Sequence, residues 1–507
     1  MKFILNTYIK RSLILIALIG LASSCDVIDL TPANLIPDDE AFSTEPRIES
    51  AVLGVYESAQ IGFYNDVVQR GYPFGAANVE QGDLRGEDLY NDQLFYEITY
   101  TGSYSPTSAN NNGMWISLYR MINRLNIILE KLDPAFESGL LTADTRDNYR
   151  GELLFLRALS HHELLVHFAR PYMDDPSLPG VPYRIFGIDE VAKISLGEMV
   201  RRGTVGEDYD QLLADLDQAE DLINEGGTFR ASWGAVIALK TRIKLHKGDW
   251  QGVLDEFKKL EGKYAITSDP AAPFRSGGQS TDNIFSFLNS AESNPGTNGA
   301  LPAMLGNPNT GGRGLVKISP LIWRADFWMV DDTRRKLTSS GGLGVYTTKY
   351  VDATSFSDPN VILRYSEAVL NAAEASARLN DLAAAVTLVN LVRDRSIPST
   401  AASYTVAGLE DQNSVIQAIL NEKRIEFLAE GKRFGDIHRL SGEGRMNGVP
   451  PKASSRSITN VNFYTTDREI PLSHAIPYTS TRFIWPIPLD EIQNNGLEPI
   501  EQNPGYF

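Results

Sequence analysis

Two alanine-rich helical stretches joined by only two polar residues limit what this chain can fold into more than any other feature. Residues 364–379 and 382–393 both place apolar side chains at helical spacing, and Asn380-Asp381 is the whole connection between them. A two-residue link forces the helices back to back. The alanines at 368, 372, 373, 375, 377 and 383–385 let two such helices approach closely. The arrangement recurs upstream, where residues 232–247 and 250–260 form helices with Gly248-Asp249 as a sharp stop. Further amphipathic stretches cover residues 47–60, 115–132, 145–168 and 207–223. Helix, tight polar turn, helix is the habit of tetratricopeptide-like pairs, although no strict 34-residue period runs through the chain. The expected fold is mostly α, a scaffold of such pairs with long irregular loops and a few short strands. The loops are residues 61–112, 270–344 and 441–507, rich in Gly, Pro, Asn and Ser, with residues 284–287 strand-like. Long irregular segments on a helical frame are where function is expected.

The N-terminus assigns a compartment. Lys2, Lys10 and Arg11 precede an apolar run from Leu13 to Leu21, and small residues lead into Cys25. Basic start, short apolar core and small residues form a secretory signal, too short to span a bilayer. Leu21-Ala22-Ser23-Ser24-Cys25 resembles a bacterial lipobox, with its Leu four residues before the Cys where three is usual. Cys25 is thus the expected lipidation site, residues 1–24 the signal peptide, 25–40 a tether and 41–507 one domain. Acyl chains at Cys25 hold a protein to a membrane at about 0.8 kcal/mol per buried methylene. As the only cysteine, Cys25 leaves no internal disulfide and no cysteine cluster for a metal. With 47 basic against 64 acidic residues the chain carries −17, so nucleic acid is not an expected partner.

Catalytic motifs are missing. His162-Glu163-Leu164-Leu165-Val166-His167 looks like a zinc-protease helix, but its histidines are five residues apart. That step turns about 140° around the helix, off a shared ligand face. No Gly-x-Ser-x-Gly elbow and no phosphate-binding loop occurs and no metal or cofactor is expected, while the carboxylate pair of a glycosidase stays open among 64 acidic residues, with nothing to single one out. Asp331-Asp332-Thr333-Arg334-Arg335 and Glu422-Lys423-Arg424-Ile425-Glu426-Phe427 read as ion-paired framework. The first loop is more suggestive. Tyr72, Tyr90, Tyr96, Tyr100 and Tyr104 crowd it, interleaved with Asn78, Asp83, Arg85 and Asp88. Flat rings beside carboxylates, amides and a guanidinium suit a sugar or a peptide. These nine residues are the expected ligand site.

Taken in order, these pieces resemble the SusD/RagB-like outer-membrane lipoproteins of Bacteroidetes. The resemblance rests on Cys25-Asp26-Val27-Ile28-Asp29-Leu30-Thr31-Pro32, Ala51-Val52-Leu53-Gly54-Val55-Tyr56 and Asp332-Thr333-Arg334-Arg335. It continues through Leu363-Arg364-Tyr365-Ser366-Glu367-Ala368 and Glu422-Lys423-Arg424-x-Glu426-Phe427-x-x-Glu430-Gly431-x-Arg433-Phe434. Trp485-Pro486-Ile487-Pro488 and Asn503-Pro504-Gly505-Tyr506 close the chain. Phe434 stands where the family often has Trp, and only Asp26 and Asp29 follow the Cys where a denser acidic cluster often marks surface display. The resemblance implies a non-enzymatic lipoprotein, anchored in the outer membrane and exposed on the cell surface. It would capture oligosaccharide and deliver it to a SusC-like TonB-dependent transporter. A peptide receptor of the RagB type is the alternative, followed by a surface glycan hydrolase and by a purely structural component of the transporter complex. The shared motifs are framework and assign no ligand contact.

Overall fold

The helix pairs owe their sharp reversals to one local device used twice. Gly248 adopts a left-handed conformation (φ 78°), and Asp249 then accepts a hydrogen bond from the Gly252 amide. Asn380 (φ 66°) and Asp381, accepting from the Ala384 amide, repeat it. The two aspartates share nearly the same backbone angles, −82°/74° and −87°/75°. A left-handed residue ends one helix and a carboxylate caps the next, so each pair turns without a loop.

The computed structural model describes residues 38–506 apart from 62, 65, 66, 69, 343, 455–462, 465–468 and 496–499. The lipidation site Cys25 and the signal peptide lie outside the described residues. The main helices are α1 (Glu45–Gln60), α2 (Ala76–Asp83), α3 (Ala109–Glu137), α4 (Ala143–Phe168), α5 (Val205–Leu222) and α6 (Trp233–Lys247). They continue with α7 (Trp250–Leu260), α8 (Tyr365–Arg378), α9 (Leu382–Arg393), α10 (Gln412–Glu426) and α11 (Arg433–Gly442). From α3 to α9 each helix packs on the next, and α10 closes against α8 and α9. The helix expected at 115–132 is longer at both ends, starting after Ser108 and carrying Pro134 in its last turns. Helix α5 opens with a capping box in which Thr204 and Glu207 satisfy each other's amides. The α10 helix was not anticipated as an element, because Glu422–Phe427 reads as a charge cluster before it reads as an apolar stripe.

Residues Glu49–Phe507 form one compact unit. Met1–Ile48 is a second; its described part holds the short helix Asp38–Ala41 and an ion pair between Arg47 and Glu40 at 2.8 Å. No helix among the described residues is long and apolar enough to cross a membrane.

Short strands tie the loops to the frame. Strand β1 (Leu89–Asn91) pairs antiparallel with β3 (Val316–Ile318), with Tyr90 opposite Lys317. Strand β2 (Asn283–Phe287) pairs with β6 (Asn360–Arg364), which runs straight into α8. A hairpin joins β4 (Thr338–Gly341) to β5 (Gly344–Thr347).

The expected charge framework lies deep inside. Arg364 is 2% exposed and binds Glu430 (3.0 and 2.8 Å), Asp282 (2.8 Å) and Glu426 (2.9 Å). Asp282 also accepts from the Ser366 amide at 2.7 Å, capping α8. Arg334 bridges Asp332 (2.7 Å), Glu422 (2.5 Å) and Glu426 (3.2 Å). Burial alone would raise the Glu426 carboxyl, but Arg395, Arg364 and Arg334 hold it well below the usual carboxylate range. Breaking such a network from one side strands the remaining charges. Arg364→Met is therefore expected to cost about 3–5 kcal/mol in urea unfolding. Lys263→Ala, which removes the exposed pair with Glu225, is expected to cost under about 1 kcal/mol.

Candidate functional site

The three irregular segments come together and share one core. Val79, Leu84, Leu89, Tyr90, Tyr96 and Tyr100 from the first, Leu301, Val316, Ile318 and Trp328 from the second, and Phe463 from the third belong to one buried cluster. Lys452, fully buried, ties the third to the first by donating to the carbonyls of Leu84 (2.6 Å) and Tyr100 (2.8 Å).

That shared core accounts for Tyr90, Tyr96 and Tyr100, and all five expected tyrosines are buried. Tyr90 and Tyr96 are 1% exposed, Tyr100 2%, Tyr72 4% and Tyr104 8%. Rings buried to this degree have no face left for a sugar. Tyr72 accepts from Gln81 at 3.0 Å, Tyr100 donates to the Ala453 carbonyl and Tyr104 donates to the Thr99 carbonyl at 3.1 Å. Tyr90 and Tyr96 pack inside the shared core, where the Tyr96 hydroxyl faces the buried Glu80 carboxyl. Loops without long ladders need side chains to hold them, and large rings do this at about 1.5–3 kcal/mol each.

The polar candidates are buried as well. Asp88 accepts from Arg424 (3.0 Å to its Nε), and Arg85 reaches His167 (2.8 Å) and the Phe483 carbonyl (2.7 Å) with its guanidinium 3.3 Å over the Phe434 ring. Asp83 accepts from the amides of Gly431 (3.1 Å) and Arg433 (3.0 Å). This contact needs Gly82, because a Cβ there would stand 2.1 Å from the Gly431 oxygen. Only Asn78 is partly open; it reaches Glu163 at 3.4 Å on the wall of a cavity beside His162. His162 and His167 also leave their helix on different sides. His167 stacks on Trp485 (4.3 Å between centroids, 9° between planes), while His162 meets His246 at 4.8 Å.

Aromatic surface survives at the rim of the shared core. Phe95, Trp323 and Phe327 pack against it while staying half-buried. Beside them Tyr464 is 48% exposed, its ring 6.1 Å from Trp323 and its hydroxyl bonded to Ser340 on the β4–β5 hairpin. Arg335 lies 4.5 Å from both Trp323 and Trp328 and donates to the carbonyls of Trp323 (3.1 Å), Met329 (2.7 Å) and Trp328 (2.5 Å), which holds the tryptophan turn rigid. Phe95 sits between Arg70 (4.6 Å) and Arg313 (5.2 Å). Half-exposed rings braced from behind, with guanidinium, hydroxyl and amide groups nearby, can stack on and hydrogen-bond to a polar, flat-faced ligand. The sequence signal for Trp323 and Tyr464 was their place in the second and third loops. The denser first loop obscured it.

Comparison with known proteins bears on the whole chain. A family model described as SusD family matches residues 324–506, and one described as starch-binding associating with outer membrane matches residues 42–245. The chain is 22% identical to SusD-like protein P38 of Formosa agariphila, over 86% of this chain and 93% of that protein. A crystal structure of a SusD superfamily protein from Bacteroides fragilis superposes with a TM-score of 0.75 at 24% identity, covering 90% of this chain and 99% of that one. Surface glycan-binding protein A from Bacteroides thetaiotaomicron, solved with laminarihexaose, gives 0.66 at 20% identity, covering 91% and 99%.

The buried carboxyls predict a pH response. Burial, opposed by the Arg433 and Gly431 amides, pushes Asp83 up to about 7. An unfolded Asp titrates near 3.9. Between those values the folded chain holds a proton that the unfolded chain lacks, so Asp83 contributes most below about pH 4 and its contribution is lost as pH rises to 7. Asp83→Asn is expected to flatten that limb of the stability curve by up to about 1.4 kcal/mol per pH unit, measured by urea unfolding from pH 4 to 8.

Proposed function

This chain belongs to the SusD family, and from that premise we propose that it is a non-catalytic glycan receptor. In this reading Cys25 carries the lipid that anchors it in the outer membrane. It captures oligosaccharide at the cell surface and hands it to a SusC-like TonB-dependent transporter. The observation that carries the binding site is the rim of half-exposed rings, Phe95, Trp323, Phe327 and Tyr464, around the core shared by the three loops. Sugars offer apolar faces to such rings and hydroxyls to the groups around them. The family's starch-binding description and the laminarihexaose-bound structural relative support the ligand class.

Calorimetric titration of the chain lacking residues 1–25 tests this, using laminari- and malto-oligosaccharides, other neutral glycans and short peptides. Saturable heat with a glycan is expected. Tyr464→Ala and Trp323→Ala are each expected to weaken it about tenfold or more, near 1.4 kcal/mol. Heat with peptides alone overturns the glycan reading, and undiminished affinity in both variants moves the site off the rim.

The buried tyrosines should behave in the opposite way. Tyr96→Ala is expected to lower stability by about 3–5 kcal/mol in thermal unfolding, as truncating a large core ring does. The affinity of the fraction that remains folded should not change.

A further inference from the structure

Helices α2, α4, α6, α8, α10 and α11 meet around the cavity beside His162, in which about 60 Å³ is open to water. Two observations show that its walls demand an occupant. His162 is 1% exposed, and neither of its ring nitrogens has a hydrogen-bond partner among the described residues; Nδ1 of His246, 4.8 Å away ring to ring, has none either. A buried polar atom left without a partner destabilises the folded chain. Among the described residues Glu163 reaches only Asn78 at 3.4 Å and His167 at 3.7 Å, both longer than a strong hydrogen bond.

The charges on the walls say what that occupant is. Arg242 forks onto Glu367 at 2.5 and 2.7 Å. Lys432 leans on the same carboxylate at 3.3 Å and donates to the Ile362 carbonyl at 2.7 Å. Lys423 pairs with Glu374 at 3.0 Å, and Asp436 with Arg439 at 2.7 Å. Three cations, Arg242, Lys423 and Lys432, therefore face three carboxyl groups, Glu163, Glu367 and Asp436, across the cavity. A balanced wall attracts neither an anion nor a cation. It suits a small neutral molecule that both donates and accepts. Apolar cavities stay dry, but a polar one fills, and this volume holds roughly four to six waters.

We infer that this cavity is a built hydration site, in which a cluster of bound waters completes the hydrogen bonds of His162, His246 and Glu163. The site joins α2, which leads into the ring-lined loops, to five helices of the frame. It stands independently of the glycan reading.

A crystal structure of the chain lacking residues 1–25, at a resolution that orders individual waters, tests the inference. One crystal should be grown without small anions and one soaked in phosphate. Discrete water peaks within about 3.2 Å of His162, His246 and Glu163 in both crystals are the expected result. A tetrahedral anion in the soaked crystal, an organic molecule in either, or featureless density around His162 overturns it. His162→Phe should remove the peaks nearest the ring and leave those at Glu163; an unchanged pattern counts against the assignment. Should that variant fail to fold, slowly exchanging water resonances at the His162 and His246 rings of the unaltered chain give a second reading. Their absence would also overturn the inference.

Discussion

Arg364 is the group on which most of this architecture depends. It sits where strand becomes helix, at the end of β6 and the cap of α8, and it touches carboxylates from three other parts of the chain. Asp282 brings the start of β2, Glu426 the end of α10, and Glu430 the turn after it. Each of these groups would be costly to bury alone, and together they are mutually satisfied. Lys349 adds a bond to Glu430 at 2.6 Å, and Arg334 and Arg395 add theirs to Glu426. The network thereby sets how the helical frame meets the irregular half of the molecule. A hydrophobic patch would hold these elements together too, but less specifically, since ion pairs fix direction as well as distance.

The loop half then solves a different problem. The described residues hold only two-stranded sheets, so backbone ladders cannot stabilise it alone. Large side chains do so, and Tyr90, Tyr96 and Tyr100 of the first loop are spent on that core. What remains for a ligand is the fringe, where Trp323 is braced by Arg335 and Tyr464 by Ser340. A platform needs rings that are exposed yet rigid, and rings anchored at the edge of a packed cluster meet both conditions.

Much of this was legible from residues alone. The two-residue turns at Gly248-Asp249 and Asn380-Asp381 specify their helix pairs because a left-handed residue followed by an aspartate cap is a purely local instruction. The ion-paired character of Asp332-Thr333-Arg334 and of Glu422 to Glu426 was also readable, since opposite charges so dense in an apolar context have few other uses. The binding surface was misread for a reason of the same kind. A run of tyrosines has the same composition whether it lines a cleft or fills a core, and residue type does not report which side of a loop faces water. Asp83, Arg85 and Asp88 illustrate it: polar in sequence, they are buried because Gly431, His167 and Arg424 come from more than eighty positions away to meet them.

By itself the sequence determined the helix pairs, the tight turns, the charged framework and the family, because each is written in local spacing or in short ordered motifs. Only the tertiary structure decided which rings stay exposed, which carboxyls are forced to hold protons, and where six helices leave a polar cavity. Those outcomes depend on contacts between segments hundreds of residues apart, and burial belongs to the packed whole and not to any stretch of chain.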